Sequence, residues 1–185
     1  DIAGDSILGR ANIGKAWVLT DWMVQLKRYP KYGEKIVAKT WSEPVNAIFS
    51  CSRDFELYCN DELVVKATTR WAIVDLTLNR PMKIEKEILE KYFPEEKKTF
   101  EEAKLPKISI PETYDFEKEI VQRRSDIDFN NHVHNLTYLD YAFETIPADL
   151  YKNRNFKNVR ISYKMAIFAD EKTTCKYACR DNKHI

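Results

Sequence analysis

Residues 22–39, WMVQLKRYPKYGEKIVAK, lie over residues 159–176, VRISYKMAIFADEKTTCK, without a gap. Each stretch starts as an apolar strand, breaks, and enters a second strand through an acidic turn: Gly33-Glu34-Lys35 in the first, Asp170-Glu171-Lys172 in the second. Identity is low, but the repeated pattern restricts the chain to a fold that uses one unit twice. The unit it specifies is a helix followed by a curved antiparallel sheet, an α+β architecture. The helix of the second copy is complete, whereas residues 1–14 leave room only for the tail of the first. The second copy stops after two strands past its helix, so both units read as incomplete in this chain.

Residues 17–78 read as strands. EKIVAKTW (34–41), NAIFSCSRDFELY (46–58) and LVVKATTRWAIVDLTL (63–78) are rich in Val, Ile, Thr and aromatics, and CNDE (59–62) supplies a turn that makes the last two a long antiparallel hairpin. IEKEILEKYF (84–93) has helical spacing at Ile84, Ile88 and Leu89, and the charged run after it, bounded by Pro94 and Pro106, reads as an exposed linker. Strand character returns in DFEKEIVQRR (115–124). Val133, Leu136, Leu139, Tyr141, Phe143 and Ile146 space a helix of about four turns that ends near Pro147. NVRISYKMAIF (158–168) and EKTTCKYACR (171–180) read as strands. The expected division is a first unit over 1–93, a linker over 94–114 and a second unit over 115–185.

Composition narrows the partners. The formal net charge is +1, so no overall field favours nucleic acid or an anionic membrane. No apolar run approaches the ~20 residues of a membrane span. The opening DIAGDSILGR lacks the basic-then-apolar build of a signal peptide. Cys51, Cys59, Cys175 and Cys179 have no His or further Cys at zinc-ligand spacing, and are expected as reduced thiols in the cytoplasm. On the same reading the sequon at Asn135 is accidental. GRANIGKA (9–16) approaches a phosphate-binding loop, but Ala16 replaces the magnesium-holding hydroxyl and no strand precedes it. No cofactor or metal is expected.

The chemistry concentrates in RRSDIDFNNHVHN (123–135), which joins a strand to the second helix. If the connection is extended, Asp128, Asn130 and His132 alternate onto one side. A helix N-terminus beside them would offer unpaired N–H groups and favour neutral imidazole, the form a general base needs. Asp128 could orient the imidazole or a water, Asn130 could fix a water, and backbone N–H groups could receive an oxyanion. These are parts for acyl hydrolysis by water. Asp and Asn are also ordinary caps and turn formers, and composition alone favours that plainer reading. His134 and Asn135 would lie structurally in the first helical turn.

RRSDIDFNNHVHNLTYLDYAFETIP resembles the segment RRSDxDxNxHVNNxxYxxWxxExxP of the fatty acyl–acyl-carrier-protein thioesterases. WVLTDWMVQLKRYPKYGEKIVAKTW and ATTRWAIVDLTLNRPMKI resemble that family's first half, so the resemblance runs from Trp17 to about Tyr163. It implies two tandem hot-dog units, each a long central helix wrapped by a curved antiparallel sheet. It also implies hydrolysis of the thioester between a fatty acyl chain and the phosphopantetheine of acyl carrier protein. The family's Asp, Asn and His fall on Asp128, Asn130 and His132. His134 stands where the family usually has Asn. The family's Glu in the following strand, sometimes beside a Cys, meets Met165, Ala166 and Ile167 here, with no carboxylate before Asp170 and Glu171. That departure keeps a non-hydrolytic acyl binder open as an alternative, beside a hot-dog dehydratase or acyl-CoA thioesterase. A homodimer is an allowed assembly. Trp17, Trp22, Trp41, Phe49, Phe55 and Trp71 are candidates to line an acyl tunnel. Arg123, Arg124, Lys152, Arg154, Lys157 and Arg160 are candidates to dock the acidic carrier protein.

Overall fold

A computed structural model describes residues 14–44, 47–101, 105–153 and 155–185. In chain order its helices and strands are β1 (Lys15–Leu26), β2 (Ile36–Ser42), β3 (Cys51–Cys59), β4 (Glu62–Asp75), β5 (Arg80–Met82), α1 (Lys86–Glu90), β6 (Phe116–Ile120), a single 3-10 turn (Arg124–Asp126), α2 (Thr137–Phe143), α3 (Ala148–Lys152), β7 (Asn158–Ser162), β8 (Thr173–Tyr177), β9 (Cys179–Arg180) and β10 (Lys183–His184). They form two compact units, Asp1–Pro106 with Phe156–Tyr163, and Lys107–Asn155 with Lys164–Ile185. Among the described residues no helix is long and apolar enough to cross a membrane.

The first unit is an antiparallel sheet in the order β2-β3-β4-β1-β7, with β5 added to β4. The CNDE turn closes the β3–β4 hairpin as expected, with Asn60 and Asp61 at φ 49° and 63°. Two successive left-handed residues match the twist of the flanking strands, and Asn and Asp tolerate that conformation. The repeat in the sequence has a direct counterpart in the register. β1 and β7, its two first strands, pair with each other, and Met23 faces Arg160, the residue the alignment makes its equivalent.

Alternation gives this sheet an apolar and a polar face. Trp22 stacks on Phe55 (centroids 5.5 Å apart) on the apolar face, above Val24, Leu57 and Val65. Trp41 is on the opposite face with Lys97 4.2 Å over its ring, Trp17 meets Tyr92, Trp71 joins the Ile73–Ile84–Leu89 cluster, and Phe49 is exposed. The six candidate tunnel aromatics therefore do not share one surface; of them, Trp22 and Phe55 are in ring contact.

Within the linker expected over 94–114, residues 95–98 are exposed, but Thr99 anchors the run to the sheet. Thr99 is 3% exposed. Its amide donates to Asp54 Oδ2 (2.7 Å), its carbonyl accepts Lys66 Nζ (3.0 Å), and Lys97 pairs with Glu56 (2.6 Å). The charged run is thus a strap that supplies partners for carboxylates on the polar face, which would otherwise be buried at a cost. The helix expected over 84–93 is present but short, and residues 47–50 do not extend β3. The helix tail expected within residues 1–14 lies outside the described residues, apart from Gly14, which sits in a turn.

The second unit pairs β6 with β8 and β9 with β10. α2 packs its Tyr138 and Tyr141 against Ile120, Val133, Ile167 and Cys175. The four-turn helix predicted from Val133 is corrected here: α2 spans Thr137–Phe143, and α3 starts after Pro147. Val133 belongs to a β-bridge with Ile127, and Leu136 is 66% exposed, so the apolar spacing spliced two kinds of structure together. Strand 158–168 likewise ends at Ser162.

Candidate active site

The loop between β6 and α2 is built on Asp126, which is 3% exposed. Its carboxylate accepts the Arg123 amide (2.9 Å), Arg123 Nε (3.1 Å) and the Tyr141 hydroxyl (2.9 Å), while its carbonyl accepts the His134 amide (2.8 Å). Burial alone would raise the Asp126 carboxyl; the Arg123 amide, the Tyr141 hydroxyl and the Arg123 guanidinium hold it below the ordinary aspartate range. Burial, and then the Asp126 charge, push the Tyr141 hydroxyl up to about 12.

Above this anchor the chain turns sharply. The Asp128 amide donates to the His132 carbonyl (2.7 Å), the Asn131 amide to the Asp128 carbonyl (3.1 Å), and Asn131 takes φ 61°. Asp128 Oδ1 accepts the amides of Asn130 (2.8 Å) and His132 (3.2 Å), and Oδ2 accepts Asn130 Nδ2 (3.3 Å). The structure brings Asp128, Asn130 and His132 together, but through a closed turn and not through the extended alternation expected. Two further expectations are corrected. α2 begins at Thr137, so no helix N-terminus adjoins His132, and His134 and Asn135 precede the helix. Asp128 accepts its hydrogen bonds from the loop itself and not from the imidazole.

A second segment lies along the loop. The Val133 amide donates to the Ile167 carbonyl (2.8 Å), the Ala169 amide to the Asn131 carbonyl (3.3 Å), and His132 bridges Phe168. The Phe168 ring meets the imidazole edge-on, with centroids 4.5 Å apart and planes at 83°. The Ile167 amide donates to the Tyr138 hydroxyl (2.9 Å). Met165 and Ala166 are exposed and Ile167 joins the core, so this stretch carries no carboxylate. Glu171 Oε2 accepts the Phe168 amide (2.8 Å), and Gln122 accepts the Asp170 amide (3.0 Å) while donating to the carbonyls of Phe168 (3.1 Å) and Glu171 (2.9 Å).

Gln122, Tyr138, Phe168 and the Asp126–Tyr141 bond escaped the sequence reading. Nothing in local spacing marks Gln122, whose partners are about fifty residues away, or Phe168, whose ring meets His132 from a distant part of the chain. Burial raises the thiols of Cys51, to about 11, and of Cys59 and Cys175, which makes each a poorer nucleophile. No group of three metal-ligating side chains exists among the described residues. Of the six candidate docking cations, Arg123 is tied to Asp126 and Arg160 to Asp21 (2.5 Å), and Arg154 lies outside the described residues. Arg124 and Lys152 are exposed in the second unit.

Comparison with known proteins matches both halves of the chain. The model of the acyl-ACP thioesterase N-terminal domain matches residues 2–92, and that of the C-terminal domain matches residues 110–184. The chain is 25% identical over 167 residues to the chloroplastic oleoyl-acyl carrier protein thioesterase 2 of Arabidopsis thaliana, covering 84% of this chain and 45% of that protein. It is 28% identical over 156 residues to the chloroplastic palmitoyl-acyl carrier protein thioesterase of the same plant, covering 80% and 37%. The chain thus spans less than half the length of these relatives. Among solved structures it superimposes on the 12:0-ACP thioesterase from Umbellularia californica with a TM-score of 0.80 at 22% identity, covering 97% of this chain and 72% of that one. It superimposes on an acyl-ACP thioesterase from Bacteroides thetaiotaomicron with a TM-score of 0.78 at 21% identity, covering 98% and 72%. The fold is that of the tandem hot-dog proteins. With both domain models matched in order along one chain, and the duplicated strands paired about Met23 and Arg160, this protein belongs to the acyl-ACP thioesterase family.

Proposed function

We propose that the chain hydrolyses the thioester of fatty acyl–acyl carrier protein and that His132 is its general base. The observation that carries this reading is the His132 ring itself. It sits at the rim of a turn locked by Asp128, half-buried, and among the described residues no side chain hydrogen-bonds it. An imidazole presented in this way is available to a water and a substrate. His132 takes a proton as the water oxygen bonds to the thioester carbon. The C–S bond then breaks, and the imidazolium returns the proton to the departing pantetheine sulfur. The products are a fatty acid and the free thiol of the carrier protein. Asp128 holds the turn, and by accepting Asn130 Nδ2 it directs the exposed Asn130 amide. The relatives' names and the family support acyl–acyl carrier protein as substrate, and Arg124 with Lys152 is the proposed contact to the acidic carrier.

The absence of a carboxylate at Met165–Ile167 favours a second reading, an acyl-carrier-protein binding module without hydrolysis. Release of free thiol from acyl–acyl carrier protein separates the two. Wild type should turn over, and His132→Ala should lose at least ~100-fold in kcat. A wild type that binds but never releases thiol supports the second reading.

A further inference from the structure

The base in a hydrolytic site needs an orienting partner, because an imidazole free to rotate spends little time aimed at its water. Neither of two usual orienters reaches the ring in this structure, where no side chain among the described residues hydrogen-bonds the imidazole. Asp128 is committed to the amides of Asn130 and His132 and to Asn130 Nδ2. The 165–167 stretch offers Met, Ala and Ile. What touches the imidazole is Phe168.

Phe168 is held unusually well for a residue that is 48% exposed. Its amide donates to Glu171 Oε2 (2.8 Å) and its carbonyl accepts Gln122 Nε2 (3.1 Å). The residue before it donates to the Tyr138 hydroxyl (2.9 Å), and the residue after it donates to the Asn131 carbonyl (3.3 Å). Its backbone is bridged to His132, the residue whose ring it meets. Four hydrogen bonds, from its own turn, from the loop that carries His132 and from α2, therefore hold the backbone at 167–169, and the exposed Phe168 ring lies 4.5 Å from the imidazole at 83°. Solvent exposure would normally leave such a ring mobile, and apolar burial does not explain so many constraints on its backbone. A perpendicular ring contact is attractive and favours one rotation of the partner ring.

We propose that Phe168 is the positioning residue of His132, orienting the imidazole by edge-on ring contact, and that Gln122 is the clamp that holds Phe168 in place. The proposal rests on His132 being the base. The test compares Phe168→Ala, Phe168→Leu, Phe168→Tyr and Gln122→Ala with wild type in steady-state hydrolysis of acyl–acyl carrier protein. NMR of the imidazole protons, with the His132 signals identified by their loss in His132→Gln, reads the contact itself. Phe168→Ala and Phe168→Leu should lower kcat ~10-fold with KM little changed, Phe168→Tyr should restore it, and Gln122→Ala should fall between. The ring-current displacement of the His132 protons should vanish in the Ala and Leu variants and persist in Phe168→Tyr. Wild-type kcat in Phe168→Leu alongside an inactive His132→Ala overturns the positioning role and leaves the base assignment standing. Full turnover in His132→Ala removes the base and overturns both. His132 protons that do not respond to Phe168→Leu show that the contact is absent in solution and overturn the proposal even if Phe168→Ala fails to fold.

Discussion

Glu34 and Glu171 are the same residue of one turn built twice. Glu34 Oε2 accepts the Lys31 amide at 2.7 Å, and Glu171 Oε2 accepts the Phe168 amide at 2.8 Å. Each glutamate amide closes back on the carbonyl of that same residue, at 3.1 and 3.3 Å. The residue before each glutamate is left-handed, Gly33 at φ 84° and Asp170 at φ 65°. The two turns also correspond position by position in the sequence alignment. A carboxylate that satisfies its own turn in both copies is a capping group, which assigns Glu171 to structure and not to water activation. Glu171→Gln preserves an acceptor for the Phe168 amide and should keep kcat within ~3-fold of wild type, while Glu171→Ala should cost about 1 kcal/mol of stability. Steady-state kinetics and urea melts on both variants decide this; an inactive but stable Glu171→Gln would make Glu171 the missing second carboxylate.

The first copy adds an arginine to the turn, and that makes it acid-sensitive. Arg28 donates to both Glu34 oxygens, at 2.9 and 3.0 Å, and holds the carboxyl down from the ordinary 4.5 to about 2. A carboxylate with a depressed folded pKa contributes stability above its unfolded pKa and loses it as pH falls through the folded value. Wild type should therefore be more stable than Glu34→Gln at neutral pH, and the gap should close between pH 4.5 and about 2. Urea midpoints of the two proteins across that window measure it. A gap that does not change with pH would show that Arg28 makes no charge-dependent pair with Glu34 in solution.

Asp128 works on the loop, so its removal should act through geometry. Asp128→Asn keeps one acceptor for the backbone amides but turns an NH2 toward Asn130 Nδ2, whose bond to Oδ2 (3.3 Å) it breaks. The expected loss is ~10-fold to 100-fold in kcat, and less than that of His132→Ala. If Asp128→Asn equals His132→Ala in severity, the carboxylate acts on the reacting groups directly and the role given to the loop is wrong.

What could be read from the chain, and what could not, separates by the range of the forces involved. The Asn60-Asp61 turn, the paired strands and the duplication depend on neighbours or on period-two alternation, and these were visible. The Asp128–His132 connection is a closed turn where alternation predicts an extended one; the Asn130-Asn131 pair is the turn signal, and Asn131 takes the left-handed conformation. The helix is shorter than its apolar spacing predicts because Val133, Leu136 and Ile146 fit helical spacing while serving a bridge, the surface and the approach to Pro147. The strap at 95–100 is charged, yet Lys97 and the Thr99 amide answer buried carboxylates on β3 that no local pattern announces. The imidazole's neighbour, Phe168, is a long-range contact of the same kind.

Tyr141 tests the anchor beneath the site. Its hydroxyl is one of three donors to a carboxylate that is 3% exposed. Tyr141→Phe leaves the ring packing intact but removes that donor, so Asp126 remains buried with one bond fewer. The expected cost is about 1–3 kcal/mol in urea or thermal unfolding. A stability change within experimental error would mean that the Arg123 amide and guanidinium suffice.

Docking of the carrier protein gives the last prediction, and the structure decides where to make the change. Reversing charge at Arg123 would place a carboxylate beside the buried Asp126, to which Arg123 donates at 3.1 Å, and any loss of function would then report damage to the anchor. Arg124 carries no such duty among the described contacts, and its side chain is exposed. Exposed charges steer acidic partners over about a Debye length, ~10 Å at 0.1 M salt, and act mainly on encounter. Arg124→Glu should therefore raise KM for acyl–acyl carrier protein and flatten its dependence on salt, with kcat and Tm near wild type. Hydrolysis of a short acyl-pantetheine thioester, which lacks the acidic carrier, should be unaffected. The comparison of the two substrates is the measurement. Equal losses on both would place Arg124 in the support of the catalytic loop, one step from Asp126, and would leave the carrier's docking surface to be sought at Lys152 or elsewhere.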